Sequence, residues 1–259
     1  KGKIGAHIKM LLKQLSPEPR VAGLSIANED IRYVFAGEKE ENTFSIQIPE
    51  GTMEQGMVKN PAALQSALEG LHDAIAPKKK KEVIKVVVVL PPGAVYTHIL
   101  KIPYVGENQL EESVRLNLAM VTPIRAEDAY MGWQKVKELD NEIELLGAFI
   151  EKSHIENMRG PLERAKFYPV AFEFPAVALL RMMKIKDAEG INMFAHISND
   201  GMNFFITKDS SLYFDYYTSW KEIQGEAKEI SGELFDETLE REVRKVSNFS
   251  ISKAGKGLD

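Results

Sequence analysis

Carboxylates, histidines and glycines are the residues of this 259-residue sequence that could do chemistry, yet they form no complete catalytic motif. The five histidines are scattered and lack the short spacing with which two of them hold one metal ion. Adjacent carboxylates point apart on regular structure, which predicts solvated charge rather than an acid and base pair. Two such pairs occur, Glu111 with Glu112 and Glu127 with Asp128. The segments G-x-x-x-x-G-K-S/T, G-x-G-x-x-G, H-E-x-x-H and G-x-S-x-G are absent from the sequence.

Two polar turns remain as candidate sites, because each connects two short apolar strands. The first turn, at residues 27–30, lies between predicted strands 21–26 and 31–36, and a third strand follows at 44–48. The pattern returns near the other end of the chain, and this repeat predicts two related halves. The second set consists of strands 193–197, 203–207 and 212–217, with a turn at 198–201.

A β-branched run at residues 86–90 organises the middle of the chain. It has no polar alternation, which predicts a central strand that is buried on both faces. Residues 91–93, two prolines and a glycine, end this strand because prolines remove backbone donors and glycine permits a tight turn. The next strand, 95–102, alternates with period two and ends at Pro103, so one sheet is predicted to end and another to begin.

The remaining elements follow from apolar spacing and capping signals. Asn60 and Pro61 predict a helix start, and a later helix is predicted at 220–246 with a break at Gly232. The first 15 residues predict a basic amphipathic helix, which either packs on the domain or docks on a membrane or partner. The other predicted elements are helices at 106–118 and 153–165 and a hairpin of strands 129–136 and 143–150.

Composition limits the classes of partner and compartment. The length and the 44% hydrophobic content predict two packed units, and the formal charge of −5 with pI near 5.7 argues against nucleic acid. The absence of cysteine excludes disulfides and thiolate chemistry and fits a reducing compartment. Since the sequence begins with Lys1 rather than methionine, we expect it to be a piece of a longer protein.

Three sequence segments resemble the PilM group of type IV pilus assembly proteins. This group belongs to the actin-like ATPase superfamily, together with FtsA and the type II secretion L protein. The segments are GLSIANEDIRYV at 23–34, IPEGTMEQGMVKNPAALQSAL at 48–68 and LPPGAVYTHILKIPYVGENQLEESVRLNLAMVTPI at 90–124. The resemblance implies an α/β (α+β), actin-like (ribonuclease H-like) fold with two related halves and an inserted strand-helix-strand-strand subdomain. The predicted division is an N-terminal helix at 1–20, a first subdomain at 21–94, an inserted subdomain at 95–168 and a truncated second subdomain at 169–259.

In active members of this superfamily, an aspartate and a glycine in each hairpin surround the nucleotide phosphates. Carboxylates hold Mg²⁺, and glycines let backbone N–H groups approach phosphate oxygens. Here the corresponding positions carry Ser25 and Ala27 in the first hairpin, and His196 and Ser198 in the second. The resemblance therefore implies vestigial phosphate loops, which also include Asn28, with no catalytic residue, no bound metal and no cofactor.

The PilM group also implies a partner. Its groove between the first and inserted subdomains receives a short N-terminal peptide of a membrane-anchored, PilN-like protein. The residues implied here are Tyr96, Leu110, Val114, Arg115 and Leu118, although the three apolar helix residues could equally pack on their own sheet. We therefore expect a non-enzymatic cytoplasmic scaffold, peripheral at the inner membrane.

Several alternatives stay open from the sequence. One is the cytoplasmic domain of a single-span protein similar to the type II secretion L protein, or of a fused pilus protein. Another is a divergent ATPase of the actin and sugar-kinase superfamily that binds ATP with Mg²⁺. Self-association into a homo-oligomer and contact with a membrane surface are also compatible with the sequence.

Overall fold

The structure, a computed structural model, describes residues 21–37, 41–79, 81–103, 106–122, 124–138, 141–183, 190–225 and 230–254. The predicted N-terminal helix therefore lies outside the described residues. Among the described helices, none is both long enough and apolar enough to cross a membrane.

Strands and helices occupy most of these residues. The strands are β1 (Val21–Ile26), β2 (Asp30–Ala36), β3 (Glu41–Gln47), β4 (Met53–Glu54), β5 (Met57–Val58), β6 (Ile84–Val89), β7 (Tyr96–Pro103), β8 (Ala129–Glu138), β9 (Glu142–Glu151), β10 (Phe167–Glu173), β11 (Ile191–Ile197), β12 (Gly201–Lys208) and β13 (Ser211–Ser219). The helices are α1 (Pro61–Ile75), α2 (Glu107–Val121), α3 (Lys152–Arg164), α4 (Pro175–Met183), α5 (Trp220–Gln224) and α6 (Gly232–Ala254), with a 3₁₀ turn at Ala126–Asp128.

The first sheet has five strands in the spatial order β10–β6–β1–β2–β3. Strands β1, β2 and β3 are antiparallel neighbours, whereas β6 runs parallel to both β1 and β10. The predicted central strand is confirmed, because β6 has a hydrogen-bonded neighbour on each side. Val86 and Val88 are completely buried, while Val87 and Val89 are partly buried on the opposite face.

Helices α1 and α3 pack together in the core of the first half. The side chain of Asn60 accepts a hydrogen bond from the Ala63 N–H at 3.1 Å, which confirms the predicted helix start. Leu64 and Leu68 of α1 share this core with Met158 and Leu162 of α3. The predicted division assigned α3 to the inserted subdomain and most of β10 to the second one. In the structure both elements pack with the first half, because the chain returns to the first sheet after β9.

The inserted subdomain is a three-stranded sheet in the order β7–β9–β8, with α2 on one face. Its strands β8 and β9 form the predicted hairpin, and β7 begins directly after the turn at residues 91–93. The prediction that one sheet ends at this turn and another begins is confirmed. Gly147 allows the close approach of α2, since a Cβ there would collide with the side chain of Leu118.

The second half is a three-stranded antiparallel sheet in the order β11–β12–β13, as predicted from the repeated hairpin. The helix predicted at 220–246 is interrupted, as its possible break at Gly232 allowed, but the first part ends earlier than predicted. The structure has two helices, because α5 ends at Gly225, whose φ of 54° is outside the helical region, and α6 begins at Gly232. Helix α6 buries Val246 against this sheet, together with Phe235, Leu239 and Val243.

Candidate functional site

The turns of the two related hairpins meet directly. The carboxylate of Asp200, between β11 and β12, accepts a hydrogen bond from the backbone N–H of Asn28 at 3.3 Å to Oδ1. The Asn28 side-chain amide donates to the same oxygen at 3.1 Å. These residues are 172 positions apart in the chain, so the contact joins the two halves. The Asp200 carboxylate therefore occupies the space between the two hairpin turns.

Three further hydrogen bonds fix the position of these turns. Asn28 accepts from the backbone N–H of Gly56 at 3.1 Å, which ties the first turn to the β4–β5 hairpin. The hydroxyl of Tyr217 in β13 donates to the backbone carbonyl of Asp200 at 2.7 Å. The indole N–H of Trp220 donates to the carbonyl of Ser198 at 2.7 Å. Backbone and side-chain groups thus hold the second turn on the end of its own sheet.

The charged groups at this contact are mainly carboxylates. Burial raises the pKa of Asp200 above its ordinary value, while the hydrogen bonds from Asn28 act in the opposite direction. Asp30 is also buried nearby, and Arg32 pairs with it at 2.7 Å. A nucleotide phosphate at this contact would therefore lie beside two carboxylates and would need a cation between them.

The predicted vestigial residues lie at or beside this contact. Ser25 is in β1 and pairs with Val89 of β6, and Ala27 closes the first turn with its N–H on the Asp30 carbonyl at 2.9 Å. His196 is in β11, where burial lowers the pKa of its imidazole. Ser198 begins the second turn, and its hydroxyl accepts from the Asp200 N–H at 3.3 Å. Among the described residues, no group of three or more histidines and carboxylates could hold a metal ion.

A second candidate site is an apolar groove of about 340 Å³ between the first sheet and the inserted subdomain. Its walls combine the ends of β6 and β10, the first turns of α3 and the edge of the inserted sheet. The aromatic and aliphatic side chains that line it are Leu90, Val95, Tyr130, Met131, Phe149, Ile150, Ile155, Phe172 and Phe174. Strands β8 and β10 are each the last strand of their sheet, so both present a backbone edge near the groove.

Few polar groups line the groove. Arg159 lies with its Cζ 6.0 Å from the centre of the Phe172 ring, and one of its N–H groups donates to Glu156 at 3.1 Å. The Tyr130 hydroxyl donates to the same carboxylate at 2.7 Å, and this hydrogen bond raises the pKa of Tyr130. Glu173 also lines the groove, and its carboxylate is paired at 2.5 Å with Arg181, a residue outside the lining. Glu156 and the Tyr130 hydroxyl both interact with the Arg159 guanidinium, which has five N–H donors and so keeps some for a further acceptor.

The residues predicted to bind a partner are not among those that line this groove. Val114 and Leu118 are each only 1% exposed, and Leu110 packs beside them. These three are core residues of the inserted subdomain, because α2 uses them to cover its own sheet. Arg115 is exposed on α2 and does not line the groove. Tyr96 is exposed and stacks on Phe149, a residue of the groove lining, with ring centres 5.4 Å apart.

Sequence reasoning missed Asp200, Tyr130 and Arg159. For Asp200 a signal existed, because a carboxylate in the second turn matches Asn28, a donor, in the first. Tyr130 and Arg159 had no comparable signal. They lie 29 positions apart on a strand and a helix, and they become neighbours only because α3 returns to the first sheet while β8 stays in the inserted one.

Two related sheets with turns that meet, together with a subdomain inserted after the central strand of the first, define an actin-like fold, as the sequence predicted. The chain is similar to a solved structure of the PilM–PilN type IV pilus biogenesis complex, with a TM-score of 0.75, 16% identity, and 92% of this chain and 79% of that chain covered. It is also similar to the cytoplasmic domain of EpsL, an inner membrane component of the type II secretion system of Vibrio cholerae, with a TM-score of 0.50 and 13% identity over 83% of this chain and 78% of that one. Neither a family model nor a curated protein matches the sequence. At these identities the likeness is one of fold.

Proposed function

We propose that this chain is a non-enzymatic, actin-like scaffold of a type IV pilus or type II secretion machine, at the cytoplasmic face of the inner membrane. In this proposal the apolar groove binds an extended peptide from a PilN-like, membrane-anchored partner. The observation that carries the proposal is the groove itself, because it joins an apolar lining, two strand edges and one arginine with unused donors. The likeness to a PilM–PilN complex supports the choice of partner.

The chemistry of the groove indicates how such a peptide would bind. An extended segment can add backbone hydrogen bonds to the edge of β8 or β10 and place alternate apolar side chains into the groove. Exposed apolar side chains continue along both edges, namely Tyr130, Trp133, Tyr168 and Val170. Arg159 is the cation in the groove lining, and its N–H groups beyond the one on Glu156 can bind a peptide carboxylate or carbonyl. A mainly apolar peptide with one acidic group fits these features.

The first prediction tests this site. Arg159→Gln is expected to weaken binding of the cytoplasmic N-terminal peptide of the PilN-like protein about tenfold, because a hydrogen bond to a charged group contributes about 1.5–3 kcal/mol. The measurement is fluorescence anisotropy with a labelled peptide. Arg115→Gln is the matched control, since Arg115 is an exposed helix arginine outside the groove lining. Equal affinities of wild type and Arg159→Gln, or a loss only in Arg115→Gln, would place the peptide on another surface.

The second prediction concerns nucleotide. We expect no Mg-ATP binding in calorimetric titration at micromolar to millimolar ligand, because the Asp200 carboxylate occupies the place between the turns. The double variant Ser25→Asp with Ala27→Gly is expected to stay inactive in a phosphate-release assay, since it leaves Asp200 in place. Micromolar binding by wild type, or turnover by the double variant, would support the divergent ATPase instead.

The likeness to the EpsL cytoplasmic domain favours a second candidate in the same class of function. Here the chain would be the cytoplasmic part of a single-span secretion protein, or of a fused pilus protein, rather than a separate pilus scaffold. The full reading frame distinguishes the two, because an apolar span of about 20 residues after position 259 is expected only for the second.

A further inference from the structure

The turn at residues 91–93 (the hinge) is one of two connections between the walls of the groove, and the other is the junction of β9 and α3 at Glu151 and Lys152. Leu90 lies between β6 and the hinge, Val95 lies between Ala94 and β7, and both line the groove. A change in the path of these three residues would therefore move the inserted sheet relative to the first sheet.

Two groups hold this hinge from opposite sides. The β4–β5 turn packs its glycine backbone on Pro91, since a Cβ at Gly56 would lie 2.9 Å from the Pro91 Cβ. The ring of Tyr217 packs on Gly93, since a Cβ at Gly93 would lie 2.9 Å from the Tyr217 Cδ1. Both glycines also have positive φ, 76° and 80°, so their turns depend on glycine.

Hydrogen bonds connect Asp200 to both of these contacts. On one side Asn28 donates to the Asp200 carboxylate at 3.1 Å and accepts from the Gly56 N–H at 3.1 Å. On the other side the Tyr217 hydroxyl donates to the Asp200 carbonyl at 2.7 Å. Asp200, in the second half, is thus connected to Pro91 through Asn28 and Gly56, and to Gly93 through Tyr217.

The setting of Asp200 is electrostatically unfavourable for a carboxylate. Burial raises the pKa of this carboxyl, so keeping it ionised at neutral pH costs free energy despite the hydrogen bonds from Asn28. The charged and titratable groups around it are Asp30 and Arg32 from β2 and the Tyr217 hydroxyl from β13. Perturbed carboxylates of this kind occur at functional sites as well as in structural networks, so the role of Asp200 follows from its two connections to the hinge.

We propose that Asp200 is a positioning residue that sets the width of the groove by holding the hinge in two ways: its carboxylate binds Asn28, and its backbone carbonyl accepts from Tyr217. The contact between the two turns then regulates access to the groove through groups of the chain itself. This inference rests on the proposed function only in so far as the groove is the partner site.

The width can be measured without any partner. The chain has no cysteine, so spin labels can be attached at Gln134→Cys on β8 and Glu163→Cys on α3, two exposed positions on opposite sides of the groove. Asp200→Ala is expected to shift or broaden the electron-spin distance distribution between these labels. Asn199→Ala, an exposed neighbour in the same turn, is the control and should leave the distribution unchanged. An unchanged distribution in folded Asp200→Ala protein overturns the inference.

A second variant and a separate measurement of peptide affinity complete the test. Asp200→Ala removes the hydrogen bonds from Asn28 but keeps the backbone carbonyl that accepts from Tyr217, so the double variant Asn28→Ala with Tyr217→Phe is measured as well. It removes the side-chain link to Gly56 and the Tyr217 hydrogen bond, and its label distances decide by the same criterion if Asp200→Ala does not fold. Peptide affinity is measured separately, and Asp200→Ala should weaken it about tenfold if one molecule in ten keeps the competent width. A wild-type protein that binds no peptide would refute the proposed function, whereas the label distances alone would still decide the role of Asp200.

Discussion

Asp215→Asn is expected to raise the free energy of unfolding at pH 8 by about 3 kcal/mol. Asp215 lies in β13, and burial raises the pKa of its carboxyl from 3.8 to about 6. Each pKa unit corresponds to about 1.4 kcal/mol, so the ionised carboxylate destabilises the fold by about 3 kcal/mol above pH 6. The asparagine amide oxygen can still accept the hydrogen bond that the Asn203 side chain donates at 2.8 Å.

The sign of the pH dependence follows from the same pKa difference. Between about pH 6 and pH 4 the folded protein holds a proton on Asp215 that the unfolded chain releases, so this group makes the fold more stable as the pH falls. Urea denaturation at pH 5 and pH 8 should show the advantage of Asp215→Asn shrinking at the lower pH. Asp236→Asn, at an exposed position of α6, is the control. An equal advantage at both pH values would mean that Asp215 titrates normally.

Leu118→Ala is expected to lower the free energy of unfolding by about 2–5 kcal/mol, because it opens a cavity in a closely packed core. Leu118 is 1% exposed and packs against β9 at Gly147. Peptide affinity of the folded fraction should stay unchanged, since Leu118 does not line the groove. Chemical denaturation and fluorescence anisotropy on the same variant measure the two effects.

Leu116→Ala provides the matched control for this substitution. Leu116 is on the same helix but 56% exposed, and surface substitutions usually change stability by less than about 0.5 kcal/mol. If instead Leu118→Ala kept its stability and lost peptide affinity, α2 would contact the partner as the sequence first implied. The pair of variants therefore separates a core role from a binding role for α2.

The elements that the sequence predicted well are those that local signals specify. The β-branched run of β6, the cap at Asn60 and the alternation in the hairpins each depend on residues close in sequence, and the structure has these elements at nearly the predicted positions. The repeated hairpin was enough to predict two related halves, because an antiparallel hairpin closes over few residues.

The apolar residues of α2 show that local sequence signals do not specify what a buried helix face packs against. Leu110, Val114 and Leu118 have the spacing of a buried helix face, and this spacing is the same whether the face covers its own sheet or a partner. Only the position of Gly147 beneath Leu118 decided between the two. The helix predicted to begin at Trp220 ends at Gly225, which the sequence did not indicate. The regular apolar pattern continues across Gly225, although the backbone leaves the helical region there.

The sequence by itself determined the class of fold, the two turns and the residue types that stand in them. The tertiary structure decided that Asp200 meets Asn28 across 172 residues, and that Tyr130 and Arg159 share one groove. The physical reason is the range of the interactions. Caps, turns and alternation involve neighbours in the chain, whereas a hydrogen bond between halves or a groove between sheets depends on how whole elements pack.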